Sequence, residues 1–526
     1  MVRKGRALAT VLAGVLALAG CTFPTITPKQ TPTPTPTDVA GIQVSSIPGK
    51  AVDRPSFPDS GARPTGFVAA PRGEGLAGYL DQRLEWRGCA NGTECADVVV
   101  PLDYSNPQGQ AITLALRRRE ATVQPRLGTL FLNPGGPGSP GQWMVDSFDR
   151  KGLEQYDLVG WDPRGTGAST PVRCYGSAQT DAFNGLDSSP DDPTERAELL
   201  RGAYDFAKAC WDHSGVLLEH ISTIETVRDL DLLRGLLGDE KLHYFGYSYG
   251  TQIGATYAEL FPYRVGRLVL DAAVDITGSD EVIQAQGFDL ALGNFAEWCA
   301  GQRCSLGASR DEVLTTITGL LDRLDPSPLD VNGRSLTQSL AMLGIAGMLY
   351  GGTKAWPALA VSIAAALKGE GRWLLLGADE LNSRNEDGSY GSMFYAFPAI
   401  HCLDEPDEGV VDADLSWTED QAKAPIFGKY FGPQYACAVW PVRPAPQLDL
   451  RGVGADPIVV IGGTGDNATP YQQAVSMAKK LDSGVLVTFK GEGHGTYGNG
   501  KSACVDSLVV DYLVRGKVPR DGVTCS

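Results

Sequence analysis

The sequence predicts an α/β protein on a mostly parallel sheet, with a mainly helical cap inserted before the last core strands. Three observations support this. Short apolar runs alternate with helically spaced segments between residues 156 and 271. A serine set between glycines, Gly246-Tyr247-Ser248-Tyr249-Gly250, stands where an apolar run over 241–245 meets a helix expected over 251–261. The strand pattern lapses near Asp275 and returns at Pro457 with Ile458-Val459-Val460-Ile461.

Residues 1–20 read as a signal peptide. Arg3, Lys4 and Arg6 precede an apolar run over 7–20, short of the roughly 20 residues of a membrane span. Leu18-Ala19-Gly20-Cys21 resembles the lipobox of bacterial lipoproteins. That implies an acyl lipid (palmitate) on Cys21, holding the chain to the cell membrane on its extracytoplasmic side, in the cell envelope. Residues 21–75 contain Thr31-Pro32-Thr33-Pro34-Thr35-Pro36-Thr37. Such composition favours extended polyproline backbone and supplies no core, so it reads as a stalk. The rest divides into a first core part over 76–275, the cap over 276–446 and a last core part over 447–526.

A formal charge of −17 argues against nucleic acid and anionic lipid heads as partners. With Cys21 set aside, an even number of the 11 cysteines remains, which in an exported chain suggests disulfides. They fall into neighbouring pairs: Cys89 with Cys95, Cys174 with Cys210, Cys299 with Cys304, Cys402 with Cys437, Cys504 with Cys525. Neighbour pairing is the expectation among about 945 possible connectivities. Neither C-x-x-C nor H-E-x-x-H occurs, so no metal site is expected.

Residues 98–102 and 112–118 read as an early hairpin, and 127–133 as an apolar strand running into Pro134-Gly135-Gly136-Pro137-Gly138. With Ser139, Pro140 and Gly141, and Asp162 roughly 20 residues on, this loop satisfies a dinucleotide fingerprint. Pro137 and Pro140 remove amides that should face a pyrophosphate, and an exported protein meets little NAD. The glycines better suit a loop that lends a backbone N–H to an oxyanion. Gly136 is the first choice of donor and Gly135 the reserve, with the amide of Tyr249 as the second donor. The strand over 156–161 ends in Asp162-Pro163-Arg164, where Asp162 and Arg164 are expected to pair. A helix is expected over 225–237 with Thr223 as its cap, then a strand over 268–271.

In the insertion, helices are expected over 311–324, 337–350 and 355–367. Phe394 to Phe397 read as cap core. Asp404 and Glu405 are candidates to grip a substrate's terminal ammonium. Beyond the insertion, Gly465-Asp466-Asn467-Ala468-Thr469-Pro470 follows one strand and Gly491-Glu492-Gly493-His494-Gly495 the next. An elbow serine, a late acid and a final histidine stand in the order Ser, Asp, His. Ser248 is then the nucleophile, His494 its base, Asp466 the group that orients the imidazole, and Thr469 a support of the acid loop. Asp271, Asp275 and Glu492 are weaker substitutes for the acid, and His213, His220, His243 and His401 fit the pattern less well.

Asn133-Pro134-Gly135-Gly136-Pro137-Gly138, Trp161-Asp162-Pro163-Arg164-Gly165-Thr166-Gly167, Gly246-Tyr247-Ser248-Tyr249-Gly250-Thr251, Thr464-Gly465-Asp466-Asn467-Ala468-Thr469-Pro470 and Gly493-His494-Gly495 together resemble the bacterial secreted tripeptidyl aminopeptidases. These are α/β-hydrolases related to prolyl iminopeptidases. The chain also resembles their cell-envelope lipoprotein branch, described both as carboxylesterases and as serine proteases. The resemblance implies an α/β-hydrolase fold and a serine hydrolase releasing short peptides, tripeptides above all, from free N-termini. It equally implies an esterase on acyl or lipid substrates with the same triad. A peptide-binding lipoprotein without activity would lack a triad member, and none is lacking. This chemistry requires neither a metal nor an organic cofactor, and a monomer is expected. Pro134 stands where prolyl iminopeptidases have histidine, which sets the chain apart from strict proline specificity.

Overall fold

Long apolar runs with no polar alternation make strands that are buried on both faces, and the central sheet is built from them. A computed structural model describes residues 46–47, 54–405 and 409–526. The expected signal peptide, the expected lipidation site Cys21 and most of the expected stalk lie outside these residues. The first long strands form an antiparallel pair, β1 (Glu94–Pro101) and β2 (Gln110–Arg119). Next come β3 (Gly128–Asn133) and β4 (Tyr156–Trp161), both buried along their whole length. After β4 lie α1 (Pro193–Ser214), α2 (Thr223–Leu236), β5 (Leu242–Tyr247), α3 (Tyr249–Leu260) and β6 (Val265–Asp271).

Between β6 and the next core strand lie α4 (Gln284–Gly301), α5 (Arg310–Leu324), α6 (Gln338–Leu349), α7 (Trp356–Ala366), α8 (Arg372–Leu381), α9 (Ser392–Asp404) and α10 (Gly409–Lys423). The chain then returns as β7 (Ile458–Gly465), α11 (Tyr471–Lys480), β8 (Gly484–Glu492) and α12 (Ala503–Arg515). The main strands of the sheet run β1-β2-β4-β3-β5-β6-β7-β8, with Arg87–Gly88 paired outside β1 and Val523–Cys525 outside β8. From β4 to β8 neighbouring strands are parallel, and β2 pairs antiparallel with both β1 and β4. This is the α/β-hydrolase fold.

Alternate side chains of a strand leave on opposite faces, and each face here has its own core. Phe131, Tyr244, Leu268, Leu270 and Val460 pack with α2 and α3 on one side. Leu130, Leu132, Phe245, Val269, Ile461 and Val487 pack with α12 on the other. The helical insertion closes a separate core around Phe288, Phe295, Ile317, Ile345, Trp356, Leu374 and Phe427.

Several expectations shift on contact with the fold. The cap of α2 is Ser222, whose side chain accepts from Glu225 N, one residue before the expected Thr223. The stalk yields its last part to the domain: Phe67–Ala69 adds antiparallel to β2, and Phe57 meets Tyr204 edge-on at 5.6 Å. Their apolar rings find the core that the threonines and prolines before them cannot fill. The helix α1 went unforeseen, and its segment meets the cap through Arg196 with Asp414 and Ser188 with Ser339.

The expected Asp162–Arg164 pair does not form. Arg164 is fully buried and donates to both oxygens of Asp229 at 2.7 and 2.8 Å, and to the carbonyls of Pro101, Leu102 and His220. Asp162 instead accepts from the amide and side chain of Gln142 and from Ala168 N. A buried guanidinium needs every donor satisfied, and a single aspartate two residues away cannot do that. The five neighbouring cysteine pairs are all joined as disulfides.

Candidate active site

The site grows from the corner between β5 and α3. Ser248 sits there with φ 54° and ψ −127°, a strained conformation for any residue with a side chain. The turn is tight because the flanking residues are glycine. A Cβ on Gly246 would lie 2.5 Å from Gly250 O, and one on Gly250 would lie 2.9 Å from Asn133 Oδ1. The Thr251 hydroxyl donates to Ser248 O at 2.6 Å and accepts from Val274 N at 3.1 Å. Backbone strain is held in place by hydrogen bonds on both sides of the serine.

The loop after β3 lies directly over this corner. Gly135 has φ 93°, and a Cβ there would come within 2.9 Å of Ser248 Cβ. Asn133 Oδ1 accepts from Gly135 N at 2.9 Å, so the reserve oxyanion donor is already engaged. The amides of Gly136 and Tyr249 have no acceptor among the described residues. Asn133 is a residue whose part was not foreseen; its only signal was its position ahead of the glycines.

Asp466 and His494 lie in the loops after β7 and β8. Asp466 is 2% exposed. Its Oδ1 accepts from Ala468 N at 3.0 Å and Thr469 N at 2.9 Å. His494 Nδ1 faces Asp466 Oδ1 at 2.9 Å and Oδ2 at 3.1 Å. A carboxylate can only accept here, so Nδ1 carries the hydrogen and Nε2 is left as the basic nitrogen. Thr469 supports this pair twice, by its amide to Asp466 and by Oγ1 at 3.4 Å from Nδ1. Ser248 Oγ makes no hydrogen bond to His494 among the described residues; hydroxyl–imidazole contacts of this kind often tighten only with substrate bound. A Cβ on Gly495 would lie 3.3 Å from the Tyr247 ring, so the histidine loop packs on the residue before Ser248.

The cap reaches the same loop. Tyr350, just past α6, accepts from His494 N at 3.2 Å and meets the imidazole edge-on at 5.3 Å. Nothing in the sequence signals this contact. Lys501 Nζ donates to His494 O at 3.0 Å, and burial lowers its pKa against the pull of Asp466 and Asp271. The alternative acids lie elsewhere. Asp275 binds Thr277 in an exposed turn, and Glu492 accepts from Asn294 at 3.0 Å. Asp271 binds backbone amides rather than the imidazole.

Asp404 serves a need other than the expected one. Its Oδ1 accepts from Thr223 N at 2.8 Å and its Oδ2 from Thr223 Oγ1 at 2.5 Å, with the Tyr249 hydroxyl bonded to the same threonine. Burial raises its pKa to about 7, opposed by the bonds from Thr223. The carboxyl is spent on the core before a substrate arrives. Glu405 is exposed at the end of α9. Of the other histidines, His243 accepts from Arg267 N at 3.1 Å, and burial lowers its pKa to about 4. It lies at the far end of β5 from the elbow.

The chain is similar to known proteins along most of its length. Residues 424–525 match the family described as TAP-like protein. The chain is 35% identical over 481 residues to Serine protease Hip1 of Mycobacterium tuberculosis (strain ATCC 25618 / H37Rv), covering 85% of this chain and 91% of that protein. It is 34% identical over 461 residues to Carboxylesterase B of the same organism, covering 82% and 86%. To the Tripeptidyl aminopeptidase of Streptomyces lividans it is 28% identical over 494 residues, covering 86% and 89%.

Proposed function

The chain belongs to the TAP-like family of α/β-hydrolases and is a serine hydrolase, and from that premise we propose that it is an exported, lipid-anchored peptidase releasing short peptides, tripeptides foremost, from free N-termini. The observation that carries this reading is the Asp466–His494 pair, its histidine loop packed on the residue before a strained Ser248, with two amides at that corner that have no acceptor among the described residues.

In this mechanism His494 Nε2 takes the proton of Ser248 Oγ as the oxygen attacks the scissile carbonyl. Asp466 keeps Nδ1 protonated and stabilises the imidazolium that forms. The amides of Gly136 and Tyr249 receive the oxyanion, each worth roughly 3 kcal/mol of barrier. Imidazolium then protonates the leaving amine, and water attacks the acyl-enzyme by the same route in reverse. A peptide substrate is supported by the two relatives named as peptidases, and the anchor by Cys21 in its lipobox-like setting. The protein works as a monomer in the cell envelope.

One observation favours a second reading. Carboxylesterase B is as similar as the protease, and an ester needs the same three side chains. Purified protein offered a free tripeptide amide, its N-acetylated form and a short-chain ester separates the two. The peptidase reading expects the free amide to be cleaved and the blocked one spared. Turnover of the ester alone would replace it with the esterase. Ser248→Ala should lower kcat by about 10⁴-fold or more on any of them, measured by product release; retained turnover would remove Ser248 as the nucleophile.

A further inference from the structure

Asp271 ends β6 with a carboxyl that is completely buried. Its Oδ2 accepts from Tyr497 N at 2.7 Å and Thr496 N at 3.0 Å, and its Oδ1 from Thr496 N at 3.2 Å. Its backbone carbonyl accepts from Ser248 N at 3.0 Å. One residue therefore holds the amide of the nucleophile and two amides of the loop that carries His494. Tyr247 runs a parallel tie, donating from its hydroxyl to Tyr497 O at 2.5 Å.

A carboxylate is a costly group for this task. Burying a charge without a cation in contact costs several kcal/mol unless hydrogen bonds offset it, and a neutral acceptor could bind the same amides. What a neutral acceptor lacks is a negative field at the histidine. The groups facing Asp271 are Asp466 from the loop after β7, His494 from the loop after β8, Tyr247 from β5 and Lys501 ahead of α12. We infer that Asp271 is a positioning residue, whose carboxylate straps the His494 loop to the Ser248 elbow and favours the imidazolium that forms during turnover. The inference rests on the proposed roles of Ser248 and His494. Burial raises the carboxyl's pKa to about 6, drawn back by the two amides, with Asp466 raising it and His494 lowering it.

The test is Asp271→Asn in the full chain, read with a fluorophosphonate that labels Ser248 and with a short-chain ester. Labelling and kcat should fall about tenfold or more while KM moves less than about twofold, as for a group felt mainly in the transition state. The acid limb of the pH–rate profile should move to lower pH, because a neighbouring negative charge that favoured the imidazolium is gone. A strap of purely structural value would lower the rate without moving the limb. Unchanged labelling, or an unmoved limb, would overturn the inference. Amide hydrogen exchange on the wild-type protein needs no folded variant: Thr496 and Tyr497 should be protected at pH 7, and their protection relative to the intrinsic rate at each pH should fall once Asp271 is protonated. Unprotected amides at pH 7 would sink the strap. Equal labelling of Ser248→Ala and wild type would overturn the reading of the site instead, so the two failures are told apart.

Discussion

Ser248 and Asp404 show how much a single position can be asked to hold. The serine's positive φ is tolerated because Gly246 and Gly250 leave no Cβ in the crossing of strand and helix. Asp404 carries the opposite burden, a carboxyl enclosed where its charge is disfavoured. Its folded pKa of about 7 lies above its unfolded value, so the native state holds a proton that the unfolded chain releases. The stabilisation is therefore full at low pH and drains away as pH rises through 7. Asp404→Asn, neutral at every pH, should lose less stability than wild type between pH 5 and 8, by an amount on the order of 1 kcal/mol. Urea unfolding at the two pH values measures it, and parallel losses in both proteins would contradict the assignment.

Among the elements, α9 ties the cap to the glycine loop over the Ser248 corner. Its Ser392 hydroxyl accepts from Gly167 N at 2.7 Å, its Ala396 and Phe397 lie against Gly138 of the glycine loop, and its Asp404 bonds Thr223. The Cys402–Cys437 disulfide, spanning 35 residues, binds this helix to the chain that leads back into the core. Replacing both cysteines with serine should cost about 2–4 kcal/mol, seen as a lower melting temperature. It should also slow fluorophosphonate labelling, since the helix supports the loop bearing Gly136. A melting point indistinguishable from wild type would show that the other ties suffice.

Across the whole molecule, the buried Arg164–Asp229 pair joins the loop after β4 to α2 beneath the first half of the sheet. Removing one partner strands the other charge in the interior, and Asp229→Ala should destabilise by about 3–5 kcal/mol. Denaturant unfolding reads this directly, and a change under about 1 kcal/mol would mean the guanidinium finds other acceptors. This pair also marks where sequence reading stops. Ser248, Asp466 and His494 were legible because each sits in a short local signature: a glycine-flanked corner, an acid after one apolar run, a histidine between glycines after the next. The partner of Arg164 was not, since it stands 65 residues away on a helix whose pattern shows only a polar position. The same holds for Asp271, whose amide partners lie 225 and 226 residues on.

By itself the sequence determined the alternation of strands and helices, the strained corner and the order of serine, acid and histidine, and it made neighbour pairing of the cysteines the expectation. The strands, helices and corner follow from spacing over a few residues, where backbone geometry and hydrophobic period act locally. Only the tertiary structure decided that the Gly135 amide is bonded while that of Gly136 has no acceptor among the described residues, that Asp404 serves the core, and that Asp271 spans the elbow and the histidine loop. Those outcomes depend on which amides meet which buried carboxyl oxygens across the fold. The free energy of a buried charge is set by that meeting, not by its neighbours along the chain.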